Sequence, residues 1–236
     1  MMSDKPGNPT NVNLPPQSAA PAAPAAQPAA HSDANWGDFV RRCDDCRNCD
    51  LGAGRTNCVV WRGALPAPLM LVGEGPGAQE DLEAKPFVGQ SGQLLDLLLQ
   101  ANGLTEQQFH ICNIVKCRPP GNRQPTEEEA KACRPLFREQ FLFVRPRVIL
   151  LLGATAYRYF TGRRDGITRV RGQWIENNGY FIMPTLHPAY VLRDNRQRDK
   201  IWADVCAVRL KLEQLGLLAP LQFVPAMPQG RKKENN

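Results

Sequence analysis

Six of the eight cysteines stand where thiols could do more than fill space. Cys43, Cys46 and Cys49 follow one another at intervals of three, Cys58 comes soon after, and Cys117 and Cys133 stand apart. A Cys-x-x-Cys pair lets two thiolates converge on one metal centre, and two more from distant segments complete a tetrahedral site. Zn2+ and an iron–sulfur cluster both suit such a set, and a free redox pair is the third reading. Position 53 is Ala, so the Cys-Pro expected in a bacterial ferredoxin run is missing. Cys112 and Cys206 lie in apolar surroundings and read as small core residues. The start of the chain has no continuous apolar stretch of the secretory kind, so a disulfide framework is not expected.

A second group carries acid, amide and imidazole. Glu74 sits in Gly73-Glu-Gly-Pro-Gly77, with Glu80 and Asp81 a few residues on. Gly75 and Gly77 let backbone N–H groups approach a base or phosphate closely. Phe87, Asn113 and His187 complete the set. Of the three histidines, His31 lies near the start of the chain, and His110 precedes a strand outside any motif and reads as structural.

Four apolar runs must position these groups: Leu69–Val72, Ile111–Val115, Val148–Leu152 and Phe181–Met183. Continuous rather than alternating hydrophobicity predicts strands buried on both faces, as in a parallel sheet between helices. Helices are predicted over Gly92–Ala101, after the capping box Thr126-Glu-Glu-Glu129, over Ala154–Phe160 and over Lys200–Leu215. The expected fold is α/β: a three-layer α/β/α sandwich around a central four-stranded, mainly parallel sheet. Ligands of such sheets bind beyond the carboxyl ends of the strands. There the Gly/Pro loop at Glu74, Asn113, and Thr185-Leu186-His187-Pro188 converge on one rim.

The chain has 236 residues, room for one ordinary domain, two at most. Residues 1–30 hold seven Pro and eight Ala and no aromatic residue, so 1–35 reads as a disordered Pro/Ala-rich tail. Residues 36–216 read as the domain, and 217–236 as a flexible basic tail with Arg231-Lys232-Lys233. The net charge is +6; the two ends contribute −1 and +2, which leaves +5 on the domain. That balance suits a polyanionic partner. No run of apolar residues is long enough for a membrane helix, and a cytoplasmic, nucleoid-associated monomer is expected.

In this order the motifs resemble the family 4 uracil-DNA glycosylases, the iron–sulfur branch of their superfamily. The residues are Cys46-Arg-Asn-Cys49-Asp-Leu51, Arg55-Thr56, Gly73-Glu-Gly-Pro-Gly77 with Glu80-Asp81, and Pro86-Phe-Val-Gly89. They continue with Asn113-Ile-Val-Lys-Cys117-Arg-Pro-Pro120, Asn122-Arg123 and Thr185-Leu-His-Pro-Ala-Tyr190. The resemblance covers about Cys46 to Leu215. It implies uracil-containing DNA, single- or double-stranded, as partner, and hydrolysis of the N-glycosidic bond of a flipped-out uracil. It implies a [4Fe-4S] cluster on Cys46, Cys49, Cys117 and Cys133, with a structural role. Leu51, two residues past Cys49, sets the register and leaves Cys43 outside the ligand set, with Cys43 as a replacement ligand the lesser alternative.

The resemblance also distributes the roles. Phe87 stacks on the base, and Asn113 reads its edge. An amide fixed in one orientation accepts from uracil N3–H and donates to O4, whereas cytosine offers the reverse pair. His187 faces O2, where negative charge grows as the bond breaks. Glu80 is expected to be the catalytically important acid and Glu74 a pocket residue beside Gly75 and Gly77. Val191 or Leu192 is expected to wedge into the duplex, with Arg193 or Arg196 on a phosphate. A sister branch binds uracil-DNA with little turnover and carries a His-containing inserted loop. The segment after Cys117 here, Arg-Pro-Pro-Gly-Asn-Arg, has no His and favours turnover; a non-catalytic zinc or iron–sulfur DNA-binding protein is the other alternative.

Overall fold

The computed structural model describes residues 33–228. The Pro/Ala-rich tail up to residue 32 and the basic run Arg231-Lys232-Lys233 lie outside the described residues. Chain order begins with helices α1 (Asp33–Asp45) and α2 (Leu51–Gly54), then strands β1 (Arg62–Gly63) and β2 (Leu69–Gly73). Helices α3 (Ala78–Glu83) and α4 (Gln90–Ala101), strand β3 (Phe109–Asn113), helix α5 (Glu127–Val144) and strand β4 (Val148–Leu152) follow. Helices α6 (Ala154–Thr161) and α7 (Ile167–Val170), strands β5 (Ile175–Asn177) and β6 (Tyr180–Thr185), and helices α8 (Pro188–Arg193) and α9 (Arg198–Gln214) complete it.

The sheet runs β1-β3-β2-β4-β6-β5. Its inner four strands are parallel, and they are the four apolar runs of the sequence. The strand count is corrected from four to six: β1 and β5 pair antiparallel along the two edges. Neither edge strand carries an apolar run. β1 has two residues, and β5 reads Ile-Glu-Asn with partial exposure. β3 also begins earlier than expected, at Phe109, and leaves the sheet after Asn113.

Alternate strand residues feed two cores, as the period of two requires. Leu69 and Leu71 face Leu95, Leu98, Val205 and Val208 from α4 and α9. Met70 and Val72 face Phe141, Tyr157 and Phe160 from α5 and α6. Helices therefore cover both faces, giving the three layers. At the start of α5 the capping box is complete: Glu129 N–H donates to Thr126 Oγ1 at 3.2 Å and Thr126 N–H to Glu129 Oε2 at 2.8 Å.

The far end of β6 is held by buried Asp204 of α9. It accepts from Thr185 Oγ1 at 2.6 Å and from Arg171 Nε at 2.9 Å. Residues 217–228 are not a loose tail. Leu217 and Leu218 pack on the core, Glu213 accepts from the Leu221 N–H at 3.1 Å, and Arg198 donates to Pro228 O at 2.7 Å. Among the described residues no helix is long and apolar enough to cross a membrane.

Candidate active site

The carboxyl ends of β2, β3, β4 and β6 open into a cavity of about 640 Å³. Glu74, Gly75, Gly77, Glu80, Phe87, Asn113, His187 and Arg193, all singled out in the sequence, line it. Asn113 closes β3 and is buried; its Oδ1 has no hydrogen-bond partner among the described residues. An orphaned buried acceptor is costly unless a ligand satisfies it. Gly73, paired with Asn113 across the sheet, makes the room: a Cβ there would overlap Asn113 Oδ1 and the Phe87 ring.

Phe87 forms one wall. Its ring centre lies 5.8 Å from that of His187, with 30° between the planes. The backbone at Phe87 is left-handed (φ 58°), a conformation that costs energy and needs support. Glu80 provides it. Glu80 Oε1 accepts from the N–H groups of Val88 and Gly89, both at 3.0 Å, and Oε2 from Gly77 N–H at 3.1 Å. One carboxylate thus clasps the Gly-rich loop to the Phe87 turn. Arg62 of β1 adds a longer contact, donating to Phe87 O at 3.4 Å while paired with Asp96. Glu74, half-buried, lines the same cavity. Asp81 anchors the other side of α3 by accepting from the N–H groups of Thr56 and Asn57.

His187 caps α8: Ala189 N–H donates to His187 Nδ1 at 3.2 Å. An accepting Nδ1 leaves the imidazole proton on Nε2. Burial, helped by the charge of Arg193 and opposed by Glu80, holds the imidazole down to about 4, so it is neutral at pH 7. Gly153 (φ 92°) passes close behind the His187 Cβ. In α8, Val191 is fully buried in the core, while Leu192 is 43% exposed. Val191 is therefore removed as a wedge candidate: the helix phase turns it inward and Leu192 outward.

His110 bears out its structural reading. Its Nδ1 meets Ala64 O at 3.0 Å, its Nε2 meets Gln140 Nε2 at 2.9 Å, and Trp61 stacks on its ring at 5.4 Å. Burial pushes it down to about 3, against the upward pull of the Ala64 carbonyl. Both His110 and His187 fall below the ordinary 6.5 that applies in the unfolded chain. The unfolded state thus binds more protons, and stability is full above pH 6.5 and lost as pH falls through that value. Each histidine removes about 1.4 kcal/mol per pH unit until its folded value is reached. Urea unfolding at pH 7 and pH 5 should therefore differ by several kcal/mol; equal midpoints would contradict two buried neutral histidines.

On the α5 side of the sheet, Cys46, Cys49, Cys117 and Cys133 border one small cavity of about 20 Å³. Cys43, Arg55 and Lys116 border it too. Arg55 Nη1 donates to Cys117 Sγ at 2.9 Å, and Cys58 and Arg55 together hold the Cys117 thiol below its ordinary range. Cys43 is fully buried and packs with Phe39, Cys58 and Val60. Among the described residues no group of three or more His, Cys, Asp or Glu is set to hold a single metal ion. The fit to a larger group rests on the donor set: four free thiols from three separate segments facing one gap, with two cations beside it. Lys116, buried, and Arg62, half-buried, received no role from the sequence; the Phe137 ring beside Lys116 and the carboxylates Asp96 and Glu106 beside Arg62 lie far along the chain.

Residues 61–206 match the model of the uracil DNA glycosylase superfamily, and the chain belongs to that superfamily. A type-4 uracil-DNA glycosylase of Thermotoga maritima is 46% identical over 155 residues, which is 65% of this chain and 81% of that relative. One from Saccharolobus solfataricus is 40% identical over 164 residues, 66% of this chain and 74% of the relative. A type-5 uracil-DNA glycosylase of Pyrobaculum aerophilum is 28% identical over 193 residues, 67% of this chain and 85% of the relative.

Proposed function

We propose that the protein is a monofunctional uracil-DNA glycosylase of DNA repair: it hydrolyses the N-glycosidic bond of a flipped-out uracil and leaves an abasic site. The observation that carries this reading is the buried, partnerless Asn113 Oδ1, set beside Phe87 and His187 in one cavity. The base stacks on Phe87 and gives its N3–H to Asn113 Oδ1. The neutral His187 donates from Nε2 to the oxygen on which charge develops, the position where a fixed donor is worth most. Glu80 acts by positioning, since its oxygens already take three backbone N–H groups. Glu74 is the carboxylate left to orient water or to steady the cationic sugar. Leu192 enters the duplex in place of the extruded nucleotide, and Arg193 meets a phosphate.

Cys46, Cys49, Cys117 and Cys133 would hold a [4Fe-4S] cluster. Bound there, it supplies a cross-link joining the segment after α1, the end of β3 and α5 beside the DNA-facing rim. A gap bordered by four thiols suits a cluster better than one ion, which needs all its ligands at a single point.

The test is DNA carrying one uracil, single- and double-stranded. Free uracil and alkali-labile sites are expected, with strands intact before alkali and no adduct trapped by borohydride. Uracil left intact after long incubation with excess enzyme would sink the reading; a trapped adduct would overturn the monofunctional part. Broad visible absorbance with about four irons per chain is the cofactor's own test.

A further inference from the structure

Lys116 is only 1% exposed. A buried ammonium is costly without a counter-charge. Among the described residues no carboxylate lies within salt-bridge distance of it. Two neutral partners hold it: Nζ donates to the Asn113 carbonyl at 2.8 Å and lies 5.4 Å from the centre of the Phe137 ring. A carbonyl and a ring face orient a cation without neutralising it. Thiols stand among its other neighbours, with the neutral His110 also within reach of its charge. Lys116 borders the cysteine cavity, and its charge acts on Cys43, Cys112 and Cys133.

We propose that Lys116 is the counter-charge of the anionic group held by the cysteines and, through its bond to the Asn113 carbonyl, the positioning residue that ties that group to base recognition. The proposal rests on the cluster and uracil readings above. Four thiolates around an iron–sulfur core leave net negative charge, which Lys116 offsets in part from the buried side while Arg55 meets the Cys117 sulfur from the half-buried side. The same ammonium grips the last carbonyl of β3, two bonds from the carbon that bears the base-reading side chain. From the other side, Ile114 N–H donates to Gly73 O at 3.0 Å and keeps the strand end in register. Displacement of about 1 Å at such a group costs on the order of 100-fold in rate.

The experiment compares full-length Lys116→Met and Lys116→Arg with wild type for iron content, reduction potential, and kcat and KM on uracil-DNA. Met keeps the stem and removes the charge. K116M should hold its irons at a more negative potential, because a cation nearby favours the reduced cluster. Its kcat should fall about 10- to 100-fold with KM unchanged. K116R should bring the potential back. Iron lost in K116M and kept in K116R would also support the charge role. A wild-type potential or a wild-type kcat in iron-loaded K116M overturns the proposal, as does equal iron loss in both variants, which would mean shape rather than charge. Iron and potential are read without DNA, so a wild-type chain inert on uracil would sink the glycosylase reading and leave the counter-charge test standing.

Discussion

Asn113→Asp is expected to lower uracil excision and to open activity on cytosine, narrowing the preference between the two bases by about three orders of magnitude or more. The amide is buried, and its backbone is held from both flanks by the Gly73 carbonyl and by Lys116. Its Oδ1 lies in the space that Gly73 leaves open, with the Phe87 ring alongside. A side chain confined in this way presents a fixed pattern of acceptor and donor. Uracil completes that pattern; cytosine puts its N4–H2 donor and its bare N3 against the wrong atoms. The unpaired polar groups that result are what make such sites selective. An ionised Asp has acceptors only, so it receives the cytosine amine and repels uracil O4. Asn113→Ala is the control: it should lose uracil excision and gain nothing on cytosine. Measuring kcat/KM for both bases in single-stranded DNA avoids differences in opening the duplex. An Asp variant with wild-type preference would show that Asn113 does not read the base edge.

Much of this site is legible in the sequence. The four inner strands are continuous apolar runs because each is buried on both faces, and that burial writes itself into composition. Their carboxyl ends then place Glu74, Asn113 and His187 on one rim, where the structure has them. The edge strands were not legible: β1 is Arg62-Gly63, too short for any period, and its pairing with His110 and Ile111 comes from the partner's position. The inward turn of Val191 was not legible either. In a helix of six residues, which neighbour faces inward is decided by the core beneath it. Glu80 shows a third limit. Its motif drew attention to it, but its work depends on a left-handed turn at Phe87 that no residue-type rule predicts, since Phe disfavours that conformation.

His187→Ala is expected to lower kcat by about 10²- to 10³-fold with little change in KM, the loss typical of one preorganised donor to a developing anion. The proposed role gives the ring two separable duties. Nδ1 caps α8 by accepting from Ala189 N–H, and that cap fixes which nitrogen carries the proton. Nε2 is then a neutral donor, because burial keeps the imidazole from charging above about pH 4. A neutral donor stabilises the departing uracil most as charge builds on the base, whereas a permanent cation would also bind the ground state. Loss of the cap alone costs about 1 kcal/mol of stability. Asn is a good capping residue, so His187→Asn should recover most of the stability lost in H187A while its kcat stays low. Thermal midpoints and single-turnover rates of the two variants separate the duties. If H187N recovered the rate together with the midpoint, capping would be the whole contribution of His187, and the donor role would fall.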